Sequence, residues 1–415
     1  MKNLVLSFLV FLGGFLSLNA QNAATSHPDL YEVVHFLASD ELKGRMVGSE
    51  HERIAAKYIA TKMEIYGLTP KGTYGYYQEY SVTTKDDPHA IDGTPKEGGE
   101  TFESKNVVGF IDNGAAYTIV IGAHYDHLGM GGFSSLYAGK DSQIHNGADD
   151  NASGVALLLS LAKEISLNKN QYNHHNYLFI AFSGEEKGLW GSSHYAKNPT
   201  LDLDKVNYMI NFDMVGRLDT SRGLAINGVG TSPFWEEAIQ KANTNDLTLV
   251  TSESGVGPSD HTSFYLEDLP VLHFFTGQHE DYHKPSDDAD KINYEGIALV
   301  GDMVKSLLNS SKEAGKIEFT KTKDNTQTRA TFKVTLGIMP DYMYQDKGMK
   351  IDGVTEDRPA FNAGLERGDI VVKIGKLVID GMDDYMKALG EFEPGEKTTI
   401  QVIRDGKTIK KSLTF

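Results

Sequence analysis

The chain has 415 residues, 40% hydrophobic and 23% charged, which is ordinary for a globular protein and leaves enough apolar side chain for a large core, excluding wholesale disorder. Lysine and arginine number 40 against 57 acidic residues, a formal charge of −17. That is the wrong sign for a general nucleic-acid binder, whose affinity rests on phosphate contacts, and the absence of cysteine excludes disulfide frameworks, cysteine-held zinc and thiol nucleophiles.

Lys2, the apolar run from Leu4 to Leu18 and then Ala20 read as a cleaved export signal over 1–20. The run is shorter than the ~20 residues a membrane span needs, so the expected product is exported, periplasmic or secreted, with no span after signal removal. Residues 25–312 alternate strand-like and helix-like runs, and 313–330 are polar and suit a linker. Residues 331–415 return to short strand-like runs broken by Gly-Asp, Asp-Gly and Pro-Gly turns. From Arg329 onward 14 basic and 14 acidic residues cancel, so the charge surplus lies wholly in the first unit.

Four runs in that unit, Tyr117 to Ala123, Tyr177 to Phe182, Val206 to Phe212 and Val271 to Phe275, are short and continuously apolar. That pattern predicts strands buried on both faces of an α/β sheet. Helices are predicted between them over Val155–Ile165 and Ser232–Asn243. Open α/β sheets hold ligands outside the carboxyl ends of their strands, and polar clusters follow each of these runs. The first ends in His124, Asp126 and His127, and a glycine-bounded loop then brings Asp149 and Asp150. Glu185 and Glu186 follow the second run, Asp213 the third, and His279, Asp281 and His283 the fourth.

Histidine and carboxylate are the ligands zinc accepts when cysteine is missing. A two-metal hydrolase needs one carboxylate that bridges the ions and a base left free of them. In the triplet His124-Tyr125-Asp126 the aspartate can hold the far N–H of a ligating imidazole. Each member alone has a blander reading. A strand-end carboxylate is ordinarily a turn former or cap, Asp149, Asn151 and Ser153 can cap the next helix, and His127, His145, His273 and His279 read more readily as surface or packing residues than as ligands. Five clusters at successive strand ends are hard to produce by chance, so function is argued for the set.

These motifs, standing as HYD, GADDNASG, SGEE, NFDM, SDH and YHKPSD, resemble those of the zinc-dependent exopeptidases of family M28, which include leucyl-type aminopeptidases and, more distantly, glutamate carboxypeptidases. The resemblance covers residues 25 to 310 and takes in the opening segment HFLASDELKGRMVGSE. It implies an α/β fold with a mixed central β-sheet flanked by helices, a zinc exopeptidase fold holding two Zn2+ per chain. His124 and Asp213 would hold one ion, Glu186 and His283 the other, and Asp150 both, while Asp149 would not ligate. Glu185 would be the general base, taking a proton from the attacking water and passing it to the leaving amine. His261 is a candidate for the substrate pocket, with a structural role as its equal alternative. Because the ligand set is complete, the single-zinc glutaminyl cyclases and the ligand-depleted receptors of the same fold are disfavoured. No arginine pattern marks a pocket for a substrate carboxylate, so the reading leans to a metallo-aminopeptidase acting on peptides. Carboxypeptidase or dipeptidase action, and a peptide-binding scaffold with incidental hydrolysis, stand as alternatives.

The segments LGIMPDY, PAFNAGLERGDIVVKIG and VIRDGK resemble a bacterial PDZ domain, a small β-rich unit. The resemblance implies that Leu336, Gly337, Ile338 and Met339 form the loop receiving a peptide C-terminus, the peptide adding a strand to the sheet edge. Docking on the catalytic unit is the alternative, and Pro340-Asp341 sits awkwardly for peptide binding.

Overall fold

The computed structural model describes residues 26–84, 99–132, 134–139, 141–322, 334–341, 344, 346–354 and 358–415; the expected export signal lies outside them. Nine strands form the first sheet: β1 (Thr69–Pro70), β2 (Tyr77–Thr84), β3 (Glu100–Ile111), β4 (Thr118–His124), β5 (Asn176–Phe182), β6 (Val206–Phe212), β7 (Leu224–Asn227), β8 (Leu249–Ser252) and β9 (Val271–Phe275). They run in the order β1-β3-β5-β4-β6-β9-β7-β8, with β2 paired to β3. The central four, β5, β4, β6 and β9, are parallel, and antiparallel β3 and β7 flank them, so the sheet is mixed.

The central strands lie within one residue of the predicted runs, and every residue in them is buried. Alternate side chains enter two cores. Ile119, Ile121, Tyr177, Phe179, Tyr208 and Ile210 face one, and Val120, Leu178, Ile180 and Met209 the other. The first is covered by α1 (Pro28–Leu37), α2 (Glu50–Ile65), α3 (Gly154–Leu167), α5 (Trp235–Ala242) and α7 (Tyr294–Ser310). The second lies under α4 (Trp190–Lys197) and α6 (His261–Tyr265). Two apolar faces per strand explain the unbroken apolar runs. The predicted helix over 232–243 is trimmed to Trp235–Ala242 because Pro233 precedes its first turn, where the Ser232 hydroxyl accepts from Phe234 N–H.

The expected linker is not all linker. Ile317 is buried in the first core, its N–H donating to Asn207 Oδ1 at 2.8 Å, and Phe319 packs on the second. Thr320 N–H bonds Thr231 O, and Thr322 meets the Tyr265 hydroxyl. Two apolar side chains two residues apart are enough to dock this stretch on the first unit despite its polar composition. Residues 323–330 lie outside the described residues.

The second sheet has six strands: β10 (Ile338–Pro340), β11 (Met349–Val354), β12 (Ile370–Ile374), β13 (Leu377–Val378), β14 (Lys397–Arg404) and β15 (Lys407–Thr414). All its pairings are antiparallel and β10 is an edge. Helices α8 (Pro359–Asn362) and α9 (Met382–Leu389) complete the unit. Leu336, Ile351, Val371, Ile400, Val402 and Leu413 form its own core.

Candidate metal centre

The carboxyl ends of β4, β5 and β6 are neighbours in a parallel sheet, so the residues that end or follow them meet at one edge. His124 is the last residue of β4, Glu185 and Glu186 follow β5, and Asp213 follows β6. Asp150 arrives from the loop before α3. That loop is held hard: Asn151 Oδ1 accepts from Gly154 and Met214 N–H, its amide donates to Phe212 O, and Asp287 Oδ2 accepts from the N–H groups of Asp149 and Asp150 at 3.0 and 3.1 Å. Asp149 points elsewhere, receiving Gly216 N–H, the Ser153 hydroxyl and His279 Nε2.

Two groups of ligand atoms result, each with its atoms within 4.8 Å of one another: His124 with Asp150 and Asp213, and His127 with Asp150 and Glu186. Asp150 belongs to both. Its Oδ1 lies 3.3 Å from His124 Nε2, and its Oδ2 lies 3.2 Å from His283 Nε2 and 3.9 Å from His127 Nδ1. His124 Nε2 is also 3.4 Å from Asp213 Oδ1 and 4.0 Å from Glu185 Oε2. Behind it, His124 Nδ1 bonds the backbone O of Asp126 at 3.3 Å and lies 3.7 Å from Asp126 Oδ1, the oxygen that accepts Glu185 N–H at 3.1 Å. Asp126 thus orients both the imidazole and the backbone carrying Glu185.

His283 lies beside the second group. Its Nδ1 bonds Ser134 O at 2.8 Å, leaving Nε2 3.3 Å from Glu186 Oε2, and its ring stacks on Tyr282. His127, set aside in the sequence as a surface or packing residue, is buried here, with Nδ1 2.7 Å from Glu186 Oε1. The one available signal was its position three residues after His124 on the same strand-end turn. His261 does not line the cavity beside these groups. It lies behind His273, rings stacked 4.6 Å apart, and His273 forms the wall. That cavity of about 80 Å³ is bounded by Met214, Asn227, Phe275, Gln278 and Tyr282 beside the two clusters.

The electrostatics suit cations. Burial opposes charge on His124, yet Asp213 and Glu185, with hydrogen bonds to Asp126 and Asp150, raise its pKa well above the ordinary value. His283 is raised in the same way by Glu186 and Asp150. Burial, partly opposed by His124 and reinforced by Asp213 and Glu186, lifts Glu185 well above the carboxylate range. Glu186 is pulled down to about 2, since His283 and His127 outweigh its burial and Asp150. Protons here carry the positive charge that the packed carboxylates require. The donor set, imidazole nitrogens and carboxylate oxygens with one carboxylate shared, fits a pair of zinc ions.

A parallel-centred α/β sheet with such a cluster outside its strand ends is the layout of a metal-dependent hydrolase. Residues 106–308 match the sequence model of peptidase family M28, and 317–414 that of a PDZ domain. The chain therefore carries an M28 peptidase domain followed by a PDZ domain. It is 28% identical over 239 residues to the uncharacterised protein YfbL of Escherichia coli, covering 50% of this chain and 71% of that one. To aminopeptidase YwaD of Bacillus subtilis it is 33% identical over 177 residues, 39% of this chain and 37% of the relative. In structure it is similar to an aminopeptidase from Aneurinibacillus, with TM-score 0.51, 19% identity and coverage of 71% and 94%, a likeness of fold.

Proposed function

We propose that the chain is an exported peptidase that holds two zinc ions and removes residues from the amino terminus of peptides. The observation that carries this is Asp150, whose two oxygens face two separate histidine-carboxylate groups. His124 and Asp213 would hold one ion and Glu186 and His283 the other, with His127 either orienting Glu186 or joining it. Zinc, when bound, supplies Lewis acidity toward the scissile carbonyl and eases ionisation of water.

Glu185 performs the proton transfers. It lies beside the first group, 4.0 Å from His124 Nε2, and belongs to neither group of ligand atoms, so it is free to take a proton from the attacking water and deliver it to the leaving amine. Asp126 fixes its backbone and aims His124. Among the described residues the cavity walls bring no lysine or arginine to meet a substrate carboxylate, which supports action at an amino terminus over action at a carboxyl terminus. The PDZ domain would hold a peptide C-terminus at Leu336, Gly337, Ile338 and Met339, where Gly337 has φ of +68° and β10 is, among the described residues, an edge strand of its sheet.

The test is zinc analysis together with mass spectrometry of one decapeptide, its amino terminus free or acetylated. Two zinc ions per chain and a ladder from the amino end of the free peptide alone are expected. Cleavage of the acetylated peptide would overturn the aminopeptidase reading in favour of an endo- or carboxypeptidase.

A further inference from the structure

Among the described residues Arg45 is the only buried arginine or lysine. Its guanidinium contacts four backbone carbonyls and no side-chain acceptor. Nε donates to Tyr125 O at 2.9 Å, one Nη to Leu37 O and to Asn146 O at 2.6 Å, and the other to Gly147 O at 3.1 Å. Tyr125 stands between His124 and Asp126, and Asn146 and Gly147 lead into Asp149 and Asp150. One planar group thus ties the turn carrying the first histidine to the loop carrying the shared carboxylate. Its charge faces Asp126, Asp150, Asp287 and Glu186, which counter the burial that brings its pKa down to about 10.

The backbone is shaped to deliver it. Lys43, Gly44 and Arg45 have φ of 42°, 66° and 46°, three consecutive left-handed residues. Such a conformation persists in non-glycine residues only where the surroundings over-determine it. Gly44 is required for space as well, since a Cβ there would lie 2.3 Å from His145 O and 2.5 Å from Gly129 O. Gly44 O in turn accepts Gly129 N–H at 2.9 Å, and Arg45 O accepts His127 N–H at 3.3 Å. The opening segment therefore grips both sides of the loop system from which three of the six ligand candidates come.

We infer that Arg45 is a positioning residue of the metal centre: its fork of hydrogen bonds sets the spacing between the His124 turn and the Asp150 loop, and its charge offsets the buried carboxylates that would otherwise repel one another before cations arrive. Carbonyl acceptors matter here. They hold a guanidinium in one orientation without neutralising it, so the positive charge stays available to the cluster. The inference rests on the two-zinc reading.

The test compares wild type, Arg45→Lys and Arg45→Met by zinc per chain, competition with a chelator of known affinity, melting temperature with and without zinc, and kcat and KM at saturating zinc. Outer partners of ligands typically change metal affinity about 10–100-fold. Arg45→Met should weaken zinc by that range and shrink the rise in melting temperature that zinc brings. Arg45→Lys, which keeps charge but cannot span four carbonyls, should fall between. At saturating zinc kcat should drop more than KM rises. If either variant binds two zinc ions with unchanged affinity and melts lower by the same amount with and without zinc, Arg45 is packing only and the inference is wrong. Should Arg45→Met fail to fold, Arg45→Lys decides alone: wild-type zinc affinity in it overturns the inference. Wild type without zinc would instead overturn the two-zinc reading.

Discussion

The two units of this chain bury charge in opposite ways. Among the described residues of the PDZ domain each buried aspartate has a cation beside it: Asp369 meets Arg404, Asp352 meets Arg367, and Asp341 meets Lys350 and, at 3.8 Å, Arg222 of the first unit. At the edge of the peptidase sheet, Asp126, Asp150, Glu185, Glu186 and Asp213 face one another and a few histidines, with one arginine behind. A domain of the first kind is electrostatically complete when folded. One of the second kind is complete only when something positive joins it, which is the signature of a site held ready at the expense of apo stability.

The largest expected effect sharpens the role of one member. Glu185→Gln should lower kcat by about 10²–10⁴-fold while zinc per chain is unchanged; a fully active variant would remove Glu185 as the base. Next, chelation should lower the melting transition of the peptidase unit alone, since a ligand at 1,000 times its Kd contributes about 4 kcal/mol. A matching shift in the PDZ transition, followed by calorimetry, would break the contrast. In the other unit, Asp369→Ala should cost about 2 kcal/mol by removing charged hydrogen bonds to Arg404 and leave zinc affinity untouched.

A last effect, felt only in acid, concerns pH. His175 is held down to about 4 by burial and by neighbouring His174, and its Nε2 faces the Asn207 amide. A histidine depressed in the folded state binds fewer protons than the unfolded chain between that value and the ordinary 6.5. Stability is therefore lost as pH falls through this window and is unaffected above it. Replacing His175 by Gln should flatten the fall in urea midpoint between pH 6.5 and 4.

The sequence shows the parts of the molecule whose causes are local. Val206–Phe212 and Val271–Phe275 are readable because covered strands are apolar at every position, and the polar clusters that meet at one sheet edge because they follow strand ends in order. The hairpin of β2 and β3 was missed, its outer half being exposed and polar. Ile317 and Phe319 were hidden by polar neighbours. Arg45 stands in the opening segment of the family resemblance, but its contacts were not legible there, because three of its four partners lie 80, 101 and 102 residues away. His127 was legible by proximity but ambiguous in chemistry, since an imidazole beside a ligand can support it or replace it.

The unbroken apolar character of β4 has a consequence for how the chain finds its native pairing. In the folded sheet His124 stands opposite Phe182, and Gly122 opposite Asn211. A slip of one residue exchanges the two faces of a strand, and the run Ile119, Val120, Ile121 is apolar on either face, leaving the close packing at Gly122 as the chief apolar check. Hydrophobicity alone discriminates weakly between those alignments. A cation gripped by groups from the ends of three adjacent strands does discriminate, because a displaced β4 withdraws His124 from Asp150 and Asp213. Zinc would thus select the correct alignment during folding, and chains refolded without it should yield a larger misaligned fraction than chains refolded with it.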